Sequence, residues 1–332
     1  MQKKVPVTVI TGFLGSGKTT LLNNFVKKYQ DTKFAVIENE FGEIGIDSQL
    51  ISGDISGIFE LANGCICCTL NDDFYITLSN LIESQFSFNH LLVETTGIAD
   101  PLSVIRLFLS NEEIQEHFKI DSVICVADVS ILEELIEEMP EIRRQIAVSD
   151  TILLNKADLT SKAYVDEALK ILNSVNPLAA KHTTAFASIH DLNLLNTDSY
   201  SARATEQSLK TVFSLNTKQN HNKLIFKKPL NLEKHTDFSS EAFIIDTPFR
   251  FEAFALWMKN YLYFNERTVL RAKGVLAFSG KQKKHIFHAV IGSYILEEGE
   301  EWGEEPHQSK LVFIGRHLDR EEIEEGLMQL VD

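Results

Sequence analysis

The stretch VTVITGFLGSGKTTLL, residues 7–22, decides how this chain folds. It fits the pattern G-x-x-x-x-G-K-[ST] between an apolar run and a helical apolar stripe. Glycines let the backbone curl so that successive N–H groups point inward, and the following helix adds partial positive charge. Lys18 would reach the terminal phosphates of a nucleotide, and the Thr19 hydroxyl would ligate Mg²⁺. The stretch predicts a strand, a phosphate-binding loop and a helix, with nucleotide contacts from Gly12, Gly15, Ser16, Gly17, Lys18, Thr19 and Thr20.

The composition is that of a globular protein without a basic surface. The chain has 332 residues, enough for two domains, and its 44% hydrophobic and 24% charged residues are ordinary. The net charge of -15 argues against nucleic acid or an anionic membrane as the main partner. No apolar run is long enough to span a membrane or to serve as a secretion signal. Four cysteines, three of them clustered, do not make a disulfide framework, so we expect a cytoplasmic, reducing location.

Short apolar runs alternate with helical patterns over residues 1–195. Most of the runs are continuous rather than alternating, which is typical of strands buried on both faces of a sheet. They lie at 5–10, 34–37, 57–61, 90–94, 122–127, 151–155 and 183–187. This pattern predicts an α/β domain of the P-loop NTPase type, with a mostly parallel sheet and helices on both faces.

The remainder of the chain predicts a second, smaller domain. Residues 196–238 are polar with little periodicity and predict a linker with room for one short helix. Residues 239–332 predict an α+β domain with strands at 241–246, 269–278, 284–296 and 309–315 and helices at 251–264 and 320–331. The acidic run EEGEEWGEE, residues 297–305, is interpreted as a solvated loop.

A second pattern, TILLNKAD, selects the base of the nucleotide. Asn155, Lys156 and Asp158 follow a predicted buried strand as N-K-x-D. A carboxylate at Asp158 can accept hydrogen bonds from both the ring N–H and the exocyclic amine of guanine, a donor pair that adenine lacks. We therefore expect GTP and GDP as ligands, and Asp158 argues against an ATP-using small-molecule kinase.

A third pattern, LLVETTG at residues 91–97, places an acidic residue at a strand end with a glycine three positions on. Nucleotide hydrolases put there the carboxylate that manages Mg²⁺ and senses the γ-phosphate. Glu94 and Gly97 fit these roles, although Asp is more usual than Glu. With Lys18 and Thr19, Glu94 forms the predicted catalytic set of a slow GTP hydrolase, since no residue is recognisable as an arginine finger.

Three of the four cysteines lie in ELANGCICCTL, residues 60–70. Cys65, Cys67 and Cys68 would sit between a strand end and a helix N-terminus, where the helix dipole stabilises the thiolates that bind metal. Three thiolates suit a soft or borderline cation such as Zn²⁺ or Cu⁺. Buried structural cysteines, a redox role and a closed structural zinc site remain as alternatives.

The segment FAVIENEFGEIGID, residues 34–47, carries further acidic residues after the second predicted strand. These are Glu38, Glu40 and Glu43. In phosphate-loop GTPases the segment after the first helix is a switch that the γ-phosphate and Mg²⁺ order. The acidic residues could equally be exposed loop residues.

Together, GFLGSGKTTLL, VIENEFGEIGID, ANGCICC, VETTGIADP and LLNKADL resemble the CobW-like family of GTPases, which act as metal chaperones. The similarity spans the first domain and continues in VLRAKG and LVFIGRHLD of the second. It implies GTP hydrolysis coupled to handling of zinc or cobalt, and a C-terminal domain that meets a client metalloprotein. By the same resemblance, the transition-metal ligands are Cys65, Cys67, Cys68, Glu38 and Glu43. The histidine-rich run of many members is absent, so we do not expect metal storage.

The leading hypothesis is therefore a GTPase that binds zinc, or Co²⁺, which accepts similar ligands, and delivers it to a client. Two alternatives remain: a nucleotide-gated, metal-responsive binding module, and cobalt handling for a cobalamin-type cofactor. The oligomeric state is open, and a homodimer is compatible with the sequence.

Overall fold

The computed structural model describes residues 4–38, 55–60, 70–83, 87–97, 101–216 and 238–331. The chain divides into two units, Met1–Ile171 with Ala180–Asp198 and Leu172–Ala179 with Ser199–Asp332. No helix in the described ranges is long and apolar enough to cross a membrane.

The described part of the first unit forms a seven-stranded, entirely parallel sheet. Its strands are β1 Val5–Thr11, β2 Phe34–Glu38, β3 Ile55–Glu60, β4 His90–Glu94, β5 Phe118–Asp128, β6 Thr151–Asn155 and β7 Ala180–Thr183. The spatial order is β3-β2-β4-β1-β5-β6-β7, with β1 at the centre. Because all strands run the same way, the ends of β1, β4 and β6 meet at one edge, where ligands of such sheets bind.

Helices cover both faces of this sheet, since β4 and β6 are buried along nearly their whole length. The helices are α1 Lys18–Lys28, α2 Leu70–Glu83, α3 Pro101–Ser110, α4 Glu112–His117, α5 Leu132–Glu138, α6 Pro140–Val148 and α7 Lys162–Val175. One face of α1 buries Leu21, Leu22 and Phe25 in the sheet core. Pro140 stands at the first position of α6, which explains the predicted break between α5 and α6.

The second unit contains a five-stranded antiparallel sheet among its described residues, in the order β11-β10-β9-β12-β8. Its strands are β8 Phe238–Ile245, β9 Val269–Leu276, β10 Lys283–Val290, β11 Ser293–Glu301 and β12 Ser309–Arg316; its helices are α8 Ala202–Asn216, α9 Phe251–Phe264 and α10 Arg320–Met328. A core rich in phenylalanine, including Phe249, Phe254, Phe287 and Phe313, fills this unit. The α/β fold followed by an α+β unit is confirmed.

Three sequence-based expectations differ from the structure. The acidic residues 297–301 belong to the edge strand β11, so their interpretation as a loop was wrong. The run at 284–296 is two strands, β10 and β11, joined at Ile291 and Gly292. The last strand of the first unit is β7 at Ala180–Thr183, and residues 184–187, which lie inside the run predicted as strand, follow it as a turn.

The predicted linker, residues 196–238, contains the 15-residue helix α8, which packs on β9. The two units divide between Asp198 and Ser199, so α8 clusters with the second unit. Residues 217–237 lie outside the described part of the chain.

Candidate nucleotide-binding site

The phosphate loop connects β1 to α1 at the centre of the sheet. Gly12, Gly15 and Gly17 have φ angles of 138°, 70° and 110°, which residues with a side chain rarely adopt. A Cβ on Gly12 would lie 2.1 Å from the carbonyl oxygen of Val126 on β5. The loop therefore follows the backbone path that its glycine spacing predicts.

The predicted catalytic side chains converge on this loop. The Thr19 hydroxyl donates to Oε1 of Glu94 across 3.2 Å, which joins the start of α1 to the end of β4. The Lys18 ammonium, largely buried, donates to the carbonyl of Phe13 across 3.2 Å. The hydroxyl of Ser16 is buried and has no hydrogen-bond partner in the described structure, so a ligand oxygen could satisfy it.

Gly97 lies against the phosphate loop. A Cβ on it would come within 2.3 Å of the backbone nitrogen of Leu14. Its carbonyl accepts a hydrogen bond of 3.1 Å from the buried side chain of Gln145 on α6. Two residues earlier, the Thr95 hydroxyl donates to Thr11 on β1 across 3.1 Å. The segment after β4 is thus attached to β1, the loop and α6.

Asn155 joins the base-recognition turn to the phosphate loop. Its amide donates to the carbonyl of Ser16 across 2.7 Å, and its amide oxygen accepts from the backbone N–H of Ala187 across 2.8 Å. Asn155 is only 2% exposed. This single side chain therefore fixes the relative positions of three loops.

Lys156 and Asp158 continue the turn. The backbone of Lys156 is in the left-handed region, with a φ angle of 62°. Its ammonium lies 2.7 Å from Oδ2 of Asp128 at the end of β5. Burial alone would raise the pKa of Asp128, but Lys156 and two hydrogen bonds from Ser130 outweigh it and lower that pKa. Asp158 is exposed in the short 3-10 helix Ala157–Leu159, where its carboxylate can meet a base.

Sequence reasoning missed the loop after β7. The N–H of Ala157 donates to the carbonyl of Thr184 across 3.1 Å. Asn24 on α1 donates to the carbonyls of Phe186 and Ala187 across 3.1 and 2.8 Å. The position of this segment in the sequence was the available signal. The next predicted strand after N-K-x-D is parallel to the others, so the residues at its carboxyl end reach the same edge of the sheet.

The predicted transition-metal ligands lie almost wholly outside the described structure. Cys65, Cys67, Cys68 and Glu43 fall in residues that the structure does not describe, and for Glu38 only the backbone, at the end of β2, is described. In the described ranges, no three His, Cys, Asp or Glu side chains group as a metal site. The fourth cysteine, Cys125, is buried, and burial raises the pKa of its thiol to about 12. It is therefore not a reactive thiolate.

Comparison with known proteins agrees with this geometry. Residues 6–183 match the family described as CobW/HypB/UreG, nucleotide-binding domain, and residues 238–331 match the cobalamin synthesis protein cobW C-terminal domain. The chain is 34% identical to zinc chaperone YjiA of Escherichia coli strain K12, over 96% of each protein. It is 25% identical to zinc-regulated GTPase metalloprotein activator 1 of Schizosaccharomyces pombe, over 95% of this chain and 83% of that protein. The crystal structure of the Zn(II)-bound YjiA GTPase superposes over the full length of both chains with a TM-score of 0.71 and 26% identity.

Proposed function

Because the chain belongs to the CobW/HypB/UreG family, we propose that it is a GTPase that couples GTP binding and hydrolysis to the delivery of zinc to a client protein. One observation supports coupling between the nucleotide site and the zinc site. Glu38, Glu60 and Glu94, the last residues of β2, β3 and β4, are paired in register at one edge of the sheet. Glu94 reaches the phosphate loop, while the chain beyond Glu60 leads within five residues to Cys65.

The phosphate side of the site binds and orients the triphosphate. The backbone N–H groups of residues 12–19 surround it, and Lys18 neutralises its terminal charge. Thr19 and Glu94 offer the oxygen donors that Mg²⁺ prefers, and they already lie 3.2 Å apart. Bound there, Mg²⁺ would neutralise charge on the phosphates. Gly97 packs on the loop, which supports its role in nucleotide binding.

The base side selects guanine. Asp158 accepts from the ring N–H and the exocyclic amine, Asn155 holds the turn, and Lys156 is held by Asp128. A site that depends on these donors rejects a base that lacks them by several orders of magnitude.

The thiolates of Cys65, Cys67 and Cys68 bind zinc, with Glu38 and Glu43 as further ligands. Sulfur ligands suit Zn²⁺, and several relatives are named as zinc chaperones or zinc-regulated activators. With GTP bound, the segment after β2 is ordered and the ligand set is complete. Hydrolysis removes the γ-phosphate, shifts this segment and weakens the hold on zinc.

The α+β domain, residues 239–332, receives the client in this proposal. A cytoplasmic setting keeps the thiols reduced and available for metal. The domain boundaries proposed from the sequence are a GTPase domain over 1–195, a linker over 196–238 that includes α8, and the client domain over 239–332.

Hydrolysis assays on the full chain test the nucleotide part of the proposal. The wild type should hydrolyse GTP slowly and prefer it to ATP, and Lys18→Ala should abolish turnover. Asp158→Asn should weaken GTP binding and improve binding of xanthosine triphosphate, because xanthine carries a carbonyl where guanine carries the amine. Equal use of ATP and GTP by the wild type would contradict this part.

A further inference from the structure

Phe186 is the most exposed large hydrophobic residue in the described part of the first unit, with 76% of its surface accessible. It also has a φ angle of 54°, in the left-handed region. A bulky residue in this region is an outlier that persists only where the surrounding structure imposes it. A residue that is both strained and exposed adds nothing to the core, so its position needs another explanation.

Hydrogen bonds impose the conformation from three sides. The carbonyl of Phe186 accepts from Asn24 on α1, and the next N–H, that of Ala187, donates to Asn155. Two residues before Phe186, the carbonyl of Thr184 accepts from Ala157. The loop is thus bonded to the base-recognition turn on both sides of Lys156, at Asn155 and at Ala157.

These bonds attach residues 184–187 to the base-recognition turn that carries Asp158. The large exposed side chain of this segment is the aromatic ring of Phe186. Rings of this kind stack on nucleobases, since every base has an apolar π-face. Asp158 accepts hydrogen bonds from the edge of guanine, and these bonds leave the two faces of the base uncovered.

We propose that Phe186 stacks on the purine ring of the bound nucleotide and is an affinity-determining residue of the site. This inference rests on the proposed function, because it takes a guanine nucleotide as the ligand. Stacking does not distinguish one purine from another, so Phe186 sets how tightly GTP and GDP are held, while Asp158 sets which base is chosen.

The test measures dissociation constants of GTP and GDP for the full chain by equilibrium titration. Phe186→Ala should weaken binding of both nucleotides by the same factor, roughly 5- to 150-fold, the range for loss of one base–aromatic stack. Phe186→Leu should weaken both as well, because leucine is apolar without a π-face, whereas Phe186→Tyr should bind like the wild type. Phe264→Ala is the matched control, since Phe264 is 79% exposed at the end of α9, and it should leave both constants unchanged.

The thermal midpoint of each variant without nucleotide shows whether the loop is intact, and it should equal that of the wild type. Wild-type affinity in Phe186→Ala, with GTP binding to the wild type normal, would overturn the stacking role and leave the proposed function standing. A lowered midpoint that fully accounts for weaker binding would also overturn it. Failure of the wild type to bind GTP would contradict both the stacking role and the proposed function.

Discussion

Gly97 illustrates how one hydrogen atom in place of a side chain shapes the site. A Cβ there would lie 2.3 Å from the backbone nitrogen of Leu14 and 2.8 Å from its Cα, and backbone atoms cannot move aside cheaply. Gly97→Ala should therefore displace the phosphate loop and slow GTP hydrolysis at least tenfold. Single-turnover rates measure this effect.

Gly299→Ala is the control for that substitution. Its Cβ would approach two side-chain atoms of Ile286 at 3.3 and 3.4 Å, which can adjust. Hydrolysis at the wild-type rate by Gly97→Ala would show that the contact with Leu14 does not position the loop.

The side chain of Asn155 makes two buried hydrogen bonds, one as donor and one as acceptor. Asn155→Ala would leave the Ser16 carbonyl and the Ala187 N–H without these bonds, and burial without a partner costs about 1–3 kcal/mol per group. Denaturant unfolding without nucleotide should show a loss of about 2 kcal/mol or more. The exposed Asn193, whose amide oxygen accepts from the Tyr29 hydroxyl at 3.2 Å, provides the control Asn193→Ala, with a change below about 0.5 kcal/mol.

At the scale of elements, continuous apolar runs predicted the buried parallel strands well, because strands covered on both faces contain few polar residues. The same reasoning failed for β11, whose residues 297–301 are mostly glutamate. This strand is fixed by its pairing with β10, and Lys283 on β10 lies 3.0 Å from Glu298. An edge strand exposes one side to water, so its composition resembles that of a loop.

Helix α8 lies in the segment where the sequence predicted one short helix, but at 15 residues it is longer than expected. Its buried residues are Thr205, Leu209, Val212 and Phe213, at i, i+4, i+7 and i+8. This stripe is readable in the sequence, but it includes a threonine and lies among polar residues, so the sequence did not reveal the full length of the helix.

An ion pair between α8 and the sheet gives a test of this packing. The Lys284 ammonium lies 2.9 Å from Glu206 on α8 and 2.8 Å from Glu305, and its side chain is 6% exposed. Glu206→Ala should lower the free energy of unfolding by about 1–3 kcal/mol, because a buried ammonium loses one of these partners. The side chain of Lys210 is 71% exposed and its ammonium lies 3.8 Å from Glu206, so Lys210→Ala should change the free energy of unfolding by less than about 0.5 kcal/mol. Equal losses in both variants would contradict this role of Lys284.

His90 on β4 makes the stability of the sheet depend on pH. Burial lowers the pKa of His90 to about 4, against 6.5 in the unfolded chain. Between these pH values His90 binds a proton in the unfolded chain but not in the folded one. Its contribution to the free energy of unfolding is therefore fully present above pH 6.5 and is lost as the pH falls toward 4. The contribution is of the order of 3 kcal/mol.

Unfolding free energies measured between pH 4 and 7 test this prediction. His90→Gln should have a flatter pH dependence than the wild type. His190→Gln, at an imidazole 90% exposed, should keep the wild-type slope. An identical slope in His90→Gln would exclude His90 as the source.

At the scale of the whole molecule, the residues of the nucleotide site were predictable because each short pattern carries its own chemistry. Their connections were not, since the bonds from Asn155 to Ser16 and Ala187 join residues 139 and 32 positions apart. The sequence did not single out Phe186 for the same reason, because its proposed role depends on a fold that brings β6 and β7 side by side. The metal ligands remain a prediction from the sequence.

The central claim is that the nucleotide and zinc sites share one edge of the sheet and influence each other. If GTP strengthens zinc binding, zinc must strengthen GTP binding by the same factor, because the coupling free energy is common to both. The thiolates are required for this coupling, so removing Cys67 should abolish it while GTP binding persists.

The most direct test is the zinc dissociation constant of the full chain, measured with GDP and with a non-hydrolysable GTP analogue, for the wild type and Cys67→Ala. The wild type should bind zinc at least about fivefold more tightly with the GTP analogue, and Cys67→Ala should bind it weakly and equally with either nucleotide. Equal zinc affinity of the wild type in both nucleotide states would contradict the account.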